Sequence, residues 1–284
     1  MATEEKTGTE ERLPEGRLVE KPSETPKAEA KAEFKAEAKA ELDWKPLTSL
    51  GKKVKAGQIT DIDQVLDSGE VLLEPEIVDL LLPNLEEDLL LVGQAKGKFG
   101  GGQRRIFRQT QKKTREGNKI KFVVCAVVGN RNGYVGVGTG KSKETVPARD
   151  KAKRRARLNI IRIRRGCGTW ESDARESNSI PFAIEGRCGS VRIKLMPAPK
   201  GKGLCVEKEC AKILALAGIK DIWSRTTGQT KTKLNLIGAL VDALKKLSEV
   251  KIKSEDLTKL GLIQGRMAKV ENNIEKASAG ASEE

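Results

Sequence analysis

The chain contains no histidine and only one tyrosine, and aromatic residues make up 3% of its 284 residues. Without histidine, the side chain best placed to act as a general base near neutral pH is missing, and so is the usual nitrogen ligand for zinc. Five cysteines occur, Cys125, Cys167, Cys188, Cys205 and Cys210, with no Cys-x-x-Cys spacing among them. An odd number in that arrangement argues against a disulfide framework and against a zinc site, and a reducing compartment is expected. No run of about 18 apolar residues is present, so no membrane span is expected. The opening Met1-Ala2-Thr3-Glu4-Glu5 lacks the basic and apolar regions of a secretory signal, and none is expected there. With 37% hydrophobic residues a core is available, and it must be built from Val, Ile, Leu and Ala, which suits small, thin domains. No catalytic residues, no metal and no cofactor are expected.

Charge is abundant and unevenly placed. Residues 1–95 hold 12 basic and 22 acidic residues, a net charge of −10. Residues 96–165 hold 22 basic and 3 acidic residues, a net charge of +19. Residues 166–284 hold 20 basic and 15 acidic residues, a net charge of +5. A block of that density repels itself unless a polyanion neutralises it, and a nucleic acid gains affinity there by releasing condensed counterions. An anionic membrane fits less well, because no basic helix carries a large aromatic or leucine face.

The pattern along the chain divides it into six parts. Residues 1–45 form a Glu-, Lys- and Ala-rich tail with little to bury, expected to be disordered. Residues 46–103 read as a helical extension, with Ile59, Ile62, Val65 and Leu66, then Ile77, Leu80, Leu81 and Leu85, at helical spacing. Its last part, 97–102, is a glycine-rich flexible joint. Residues 104–165 read as a β-β-β-α domain. The strands are 106–112, a β-branched run at 120–128, and 134–139, with a turn at 114–118 and an Asn-Gly hairpin at 130–133 that favours positive φ at both central positions. A helix follows at 146–160. Ala148, Ala152, Ala156 and Ile160 give it one slim apolar face that covers one side of the sheet. Residues 166–177 read as a linker. Residues 178–250 read as an α+β domain of order β-β-α-β-α: strands at 180–185 and 190–196, a helix at 206–217 stopped by Gly218, a strand at 219–224, and an amphipathic helix at 234–247. Val191, Ile193 and Leu195 point to one face of the second strand; Arg192 and Lys194 point to the other. Residues 251–284 are a helix-prone polar tail.

Three motifs invite chemistry. The glycine-rich run from Gly129-Asn130-Arg131-Asn132-Gly133 through Gly140-Lys141-Ser142-Lys143-Glu144 suggests a phosphate loop, but such a loop needs glycine where Val135 stands, and two of its loop glycines fall inside a strand. The other reading is a hairpin strand that presents Lys141 and Lys143 to RNA phosphates. The basic helix and Arg162-Ile163-Arg164-Arg165 could be a solvated face. Acids are nearly missing there, so ion pairs within the helix cannot balance the charge. DNA is the weaker partner, since neither a helix-turn-helix nor a zinc finger is recognisable. Pro197-Ala198-Pro199-Lys200-Gly201-Lys202-Gly203 could be the phosphate loop of a small-molecule kinase, a silent turn or an RNA-contacting loop. A kinase would also need carboxylates for Mg²⁺ and a base, and only Glu207 and Glu209 stand near.

These segments resemble one family. Val127-Val128-Gly129-Asn130 through Gly140-Lys141, Leu158-Asn159-Ile160-Ile161, Arg164-Arg165-Gly166-Cys167-Gly168 and Gly186-Arg187-Cys188-Gly189-Ser190-Val191 carry the likeness. So do Pro197-Ala198-Pro199-Lys200-Gly201, Ala217-Gly218-Ile219-Lys220-Asp221 and Gly228-Gln229-Thr230-Lys231-Thr232-Lys233. The family is the universal small-subunit ribosomal protein numbered five in bacteria and two in eukaryotes. Glu74-Pro75-Glu76-Ile77-Val78-Asp79 is similar to archaeal and eukaryotic members, and an archaeal-type member is expected. The resemblance implies a double-stranded-RNA-binding-like β-β-β-α domain followed by the family's own α+β domain. It implies a structural, non-enzymatic constituent of the small ribosomal subunit, cytoplasmic and ribosome-bound. Such a protein binds small-subunit ribosomal RNA and neighbouring proteins, lies near the channel by which messenger RNA enters, and supports decoding fidelity.

The residues expected to meet RNA are Lys112, Lys113, Arg115, Lys119, Arg131, Asn132, Lys141, Lys143, Lys153, Arg154, Arg157, Arg162, Arg164, Arg165, Lys200 and Lys202. The chain departs from the family locally. Glu116 stands where bacterial members have glycine and is expected to point away from phosphate. Arg149 stands where isoleucine is usual. Ser172-Asp173-Ala174 replaces a Cys-Gly-Cys of some archaeal relatives, so no metal chemistry carries over. Two other classes stay open on sequence grounds: an RNA-dependent or phosphotransfer enzyme using the second domain, and a free double-stranded-RNA-binding regulator.

Overall fold

The computed structural model of the chain describes residues 44–95, 102–171, 176–252 and 260–265. The expected N-terminal tail, most of the glycine-rich joint and most of the polar C-terminal tail lie outside the described residues.

Three short helices open the described part of the chain: α1 Ser49–Lys55, α2 Ile62–Ser68 and α3 Glu76–Leu81. Thr48 caps α1 by accepting a hydrogen bond from the Gly51 amide (3.0 Å), and a left-handed Gly69 stops α2. The extension is not purely helical, however. Glu86–Leu89 forms a strand, β1, paired antiparallel with residues 126–129 of the main sheet. Three consecutive acids, Glu86, Glu87 and Asp88, hide this strand from a composition-based reading, since acids disfavour strands. Their side chains instead find basic partners, described below.

The first sheet continues with β2 Arg108–Thr114, β3 Gly117–Gly129 and β4 Tyr134–Ser142. Helix α4, Thr145–Leu158, ends two residues earlier than its periodicity predicts. Ile160–Arg162 then leaves the helix and forms β5 against β4. The sheet therefore has five strands rather than three, in the order β1-β3-β4-β5, with β2 also on β3. One edge of the long β3 is shared: β2 covers residues 117–123 and β1 covers 126–129.

Both faces of this sheet are covered, which corrects the expectation of one buried face. Val124, Ala126 and Val128 pack on Ala148, Ala152 and Ala156 of α4. Cys125, Val127 and Val135 point the other way into a cluster shared with the second half of the chain. Burial on both sides explains the unbroken apolar run at 123–128, since a half-buried strand would alternate. On the α4 side β4 offers only glycine. A Cβ at Gly138 would lie 2.2 Å from the Ala156 backbone nitrogen, and one at Gly140 would lie 2.1 Å from the Ala148 carbonyl oxygen. The glycines let helix and strand backbones touch.

The second half has β7 Ile184–Cys188, β8 Val191–Pro197, β9 Leu204–Cys205 and β10 Ile222–Thr227, in sheet order β7-β8-β10-β9. The short parallel β9, and the shifts of β7 (expected at 180–185) and β10 (expected at 219–224) toward the C-terminus, are departures from the expected β-β-α-β-α pattern. Helix α5, Lys208–Ala217, is capped by Glu207, whose carboxylate accepts from the Glu209 and Cys210 amides, and is closed by a left-handed Gly218. Helix α6, Lys233–Glu249, buries Leu236, Leu240, Leu244 and Leu247 against the sheet. Two further short strands pair with each other: β6, Arg164–Arg165, and β11, Ile263–Gln264, from within the expected tail. The expected linker is packed, not loose, at its start. Gly166 exchanges backbone hydrogen bonds with Ser179, and the Cys167 amide donates to the Leu260 carbonyl.

Candidate nucleic-acid interface

The basic block divides into two sides. On one side, the acids of the extension neutralise it. Arg131 pairs with Glu86 (2.8 Å). Lys153 pairs with Glu87 (2.7 Å), and Arg157 bridges Glu87 (2.9 Å) and Asp79 (3.2 Å). Arg162 pairs with Asp67 (2.7 Å) and Asp63 (3.5 Å), and Asp63 also accepts from the buried Tyr134 hydroxyl (2.7 Å). Four of the sequence-predicted contacts therefore already carry a counter-charge from the extension. Exposed ion pairs of this kind add little stability one by one, but together they spend the local positive potential.

On the other side the cations stay open. The β2–β3 hairpin turns through Arg115 and Glu116, and Lys112, Lys113 and Arg115 are exposed. Lys141 at the end of β4, Lys143 just beyond it, and Lys151 and Arg154 on α4 are exposed too. Among the described residues none of these seven has an acidic partner within ion-pair distance. Lys119 does: it pairs with Glu116 (2.8 Å), which turns that carboxylate toward its own hairpin. Arg149 does not reach outward. Its guanidinium lies 5.2 Å from the centroid of Phe107, which accounts for a cation at an otherwise aliphatic helix position. Arg108, Lys121, Lys151 and Arg155 are exposed cations beyond the expected set; strand register, not composition, places the first two beside the hairpin.

The turn at 130–133 differs from its expected role. Positive φ falls at Arg131 (55°) and Gly133 (93°), not at Asn132. Asn130 Oδ1 accepts from the Asn132 amide (2.8 Å) and the Tyr134 amide (3.2 Å) and so shapes the loop by its side chain. The Arg131 and Gly133 amides donate to the carbonyls of Leu216 and Ala217, so the loop is docked on the end of α5. Asn132 Oδ1 accepts from Arg165 Nη2 (2.8 Å), which also donates to the Gly265 carbonyl (3.2 Å). Arg165 is 3% exposed, and burial pushes its guanidinium pKa down. That burial removes it from the set offered to a nucleic acid. Arg164 is likewise turned inward: Nη1 donates to the carbonyls of Leu247 (3.2 Å) and Val250 (2.7 Å), closing the C-terminus of α6. Burial lowers its pKa as well.

In the 198–203 loop, Lys202 is exposed and Lys200 pairs with Glu176 (2.7 Å). The Gly203 amide donates to Asp221 Oδ1 (2.7 Å), so a carboxylate stands where a phosphate cradle would need a free donor. The two nearby acids are committed as well. Glu207 caps α5 and binds Lys233; Glu209 is buried and accepts from the Leu91 amide (2.9 Å). The buried thiols of Cys125 and Cys210 are pushed up to about 12 by burial and by nearby glutamates, which keeps both protonated and poorly nucleophilic. Among the described residues no helix is long and apolar enough to cross a membrane.

The first half is thus a five-stranded sheet with a basic helix, joined through a shared core to an α+β half. Residues 106–164 match the family described as Ribosomal protein S5, N-terminal domain, and residues 186–257 match Ribosomal protein S5, C-terminal domain. A small ribosomal subunit protein uS5 of Nanoarchaeum equitans is 51% identical over 210 residues, covering 74% of this chain and 90% of that one. The uS5 of Methanosphaera stadtmanae is 48% identical over 221 residues, covering 78% and 91%. That of Methanocaldococcus jannaschii is 45% identical over 225 residues, covering 79% and 97%. The chain belongs to the uS5 family of ribosomal proteins and is of the archaeal type.

Proposed function

We propose that this protein is a structural constituent of the small ribosomal subunit that holds small-subunit ribosomal RNA through the open side of its first domain. One observation carries the reading. Among the described residues, Lys112, Lys113, Arg115, Lys141, Lys143 and Arg154 stay exposed without acidic partners, while Arg131, Lys153, Arg157 and Arg162 are neutralised from within the chain. Phosphate contacts from the open side supply affinity; the shape of the RNA, read by a protruding hairpin, supplies specificity. Lys202 extends the same role to the second half. The relatives' names support ribosomal RNA and neighbouring ribosomal proteins as partners and a ribosome-bound, cytoplasmic location. The family resemblance supports a position near the channel where messenger RNA enters, with influence on decoding fidelity.

The test is a salt titration of RNA binding. Replacing Lys112, Arg115, Lys141 and Lys143 with alanine is expected to lower the slope of log K against log salt by roughly 0.7–0.9 for each phosphate no longer neutralised. Replacing Arg131, Lys153 and Arg157 is expected to change the slope much less. Equal changes from both sets would overturn the two-sided reading. Sedimentation of an extract is expected to place the protein with small subunits; a free, RNA-less pool would overturn the assignment. A stop-codon readthrough reporter in cells carrying the four-alanine variant tests the fidelity role, with raised readthrough expected.

A further inference from the structure

We propose that the open face of the second sheet is a platform for single-stranded RNA, with Trp223 as its stacking surface and Arg187, Arg192, Lys194 and Arg225 as its phosphate contacts. It lies on a different sheet from the open side of the first domain and does not depend on that reading.

The faces follow from register. Val191, Ile193, Leu195 and Ile222 are fully buried beneath the helices. Their alternate neighbours face outward. Arg187 stands opposite Arg192, and Glu185 opposite Lys194, across β7 and β8. Trp223 stands opposite Met196, and Arg225 opposite Lys194, across β8 and β10. Directly opposed residues share a face. This face therefore carries four cations and one acid, Glu185, which forms no ion pair among the described residues. All five charged side chains are exposed, and Trp223 is half-buried beside Met196.

The arrangement is poor for the isolated fold. Arg187 against Arg192 and Lys194 against Arg225 place like charges directly across strand pairs, which destabilises a sheet by itself. A bound polyanion reverses the sign of that term. A sheet face cannot enter the deep, narrow major groove of an RNA duplex, and an indole beside cations can take an unpaired base by stacking. Cations that track a backbone beside an aromatic that takes a base are the physical requirements for holding single strands without strict sequence choice.

The experiment uses the full chain with Trp44→Phe and Trp170→Phe, leaving Trp223 as the only indole. Titration with an oligouridine of about ten nucleotides is expected to quench its fluorescence, and a duplex of the same length is expected to quench little. Trp223→Ala should weaken oligouridine binding about tenfold, and Arg192→Ala with Lys194→Ala should lower the salt slope by roughly 1.4. Circular dichroism checks folding; Arg225→Glu, on an exposed position, serves in place of Trp223→Ala if that variant unfolds. The four-alanine variant of the first domain should keep the quench, so failure here and failure of the first surface are told apart. Absence of quenching while a labelled oligouridine binds overturns the proposal, and so does equal quenching by polyglutamate. In intact small subunits, 4-thiouridine crosslinks to the 222–227 strand tell whether the strand is ribosomal or messenger RNA; either upholds the platform, and no RNA crosslink sinks it.

Discussion

Both halves of the molecule lay a helix on glycine, α4 on Gly136, Gly138 and Gly140 of β4 and α6 on Gly186 of β7, but only the second adds a thick layer of leucine. In the first, α4 lies on glycines of β4 through Ala148, Ala152 and Ala156, a seam with almost no side-chain volume on either side. In the second, α6 buries Leu236, Leu240, Leu244 and Leu247 against Val191, Ile193 and Leu195. The narrow seam leaves most of the circumference of α4 free for charge, with Lys151, Arg154 and Arg155 exposed beside the single acid Asp150, because apolar contact needs only one residue in four. The thick layer gives more apolar burial but surrenders more of each helix to the core. The difference shows that a protein can trade hydrophobic area for charged surface by bringing backbones together.

The comparison can be broken in four ways, from the largest effect downward. Gly138→Val should cost at least about 4 kcal/mol in chemical denaturation, since its Cβ would sit 2.2 Å from the α4 backbone, where no rotamer gives relief. A cost below about 1 kcal/mol would show that the seam can open. Leu240→Ala should cost about 3 kcal/mol by the cavity it leaves, while Leu240→Met should cost under about 1.5 kcal/mol, because a thick layer repacks. Pulsed alkylation across a denaturant gradient sharpens the contrast. Cys125 of the first sheet and Cys210 of α5 lie in one apolar cluster. Both should become reactive at one midpoint, with exposed Cys205 labelled throughout; two midpoints would divide the core that the halves share. The smallest effect is electrostatic. The Lys246 ammonium (2.7 Å) and the Arg187 amide hold the Asp242 carboxyl below its ordinary value of 3.8. A depressed carboxylate stabilises the fold above its unfolded pKa, and that contribution fades as pH falls through the folded one. Asp242→Asn should therefore flatten the melting-temperature profile at its acid end and change it little when the same variant is compared at very low pH.

Much of this is legible in residue order. The alanines at four-residue spacing announce α4, alternation at 191–195 announces β8, and Gly218 announces the end of α5. What stays hidden depends on partners distant in the chain. The strand at Glu86–Leu89 exists because β3 has an unclaimed edge and because Arg131, Lys153, Arg157 and Lys212 await its acids. Ile160 continues the helical spacing, yet it pairs with Gly136 in the sheet. For the interface, charge density finds the region but cannot separate open cations from those already matched, since Arg162 and Lys141 look alike in sequence. The second sheet's cations are visible as an alternation at Arg192 and Lys194; their grouping with Arg187, Arg225 and Trp223 requires the register of three strands.

The pairing of β11 with β6 has a consequence for biosynthesis. Arg165 sits in a dry place with one of its acceptors, the Gly265 carbonyl, 100 residues downstream. A chain emerging from the synthetic machinery can assemble both sheets and α6 while that guanidinium still lacks its last acceptor, and a buried cation short of acceptors is expensive. The 263–265 segment thus works as a late clasp: the guanidinium gains this acceptor only once residue 265 has been made, and copies that stop before it carry a built-in penalty.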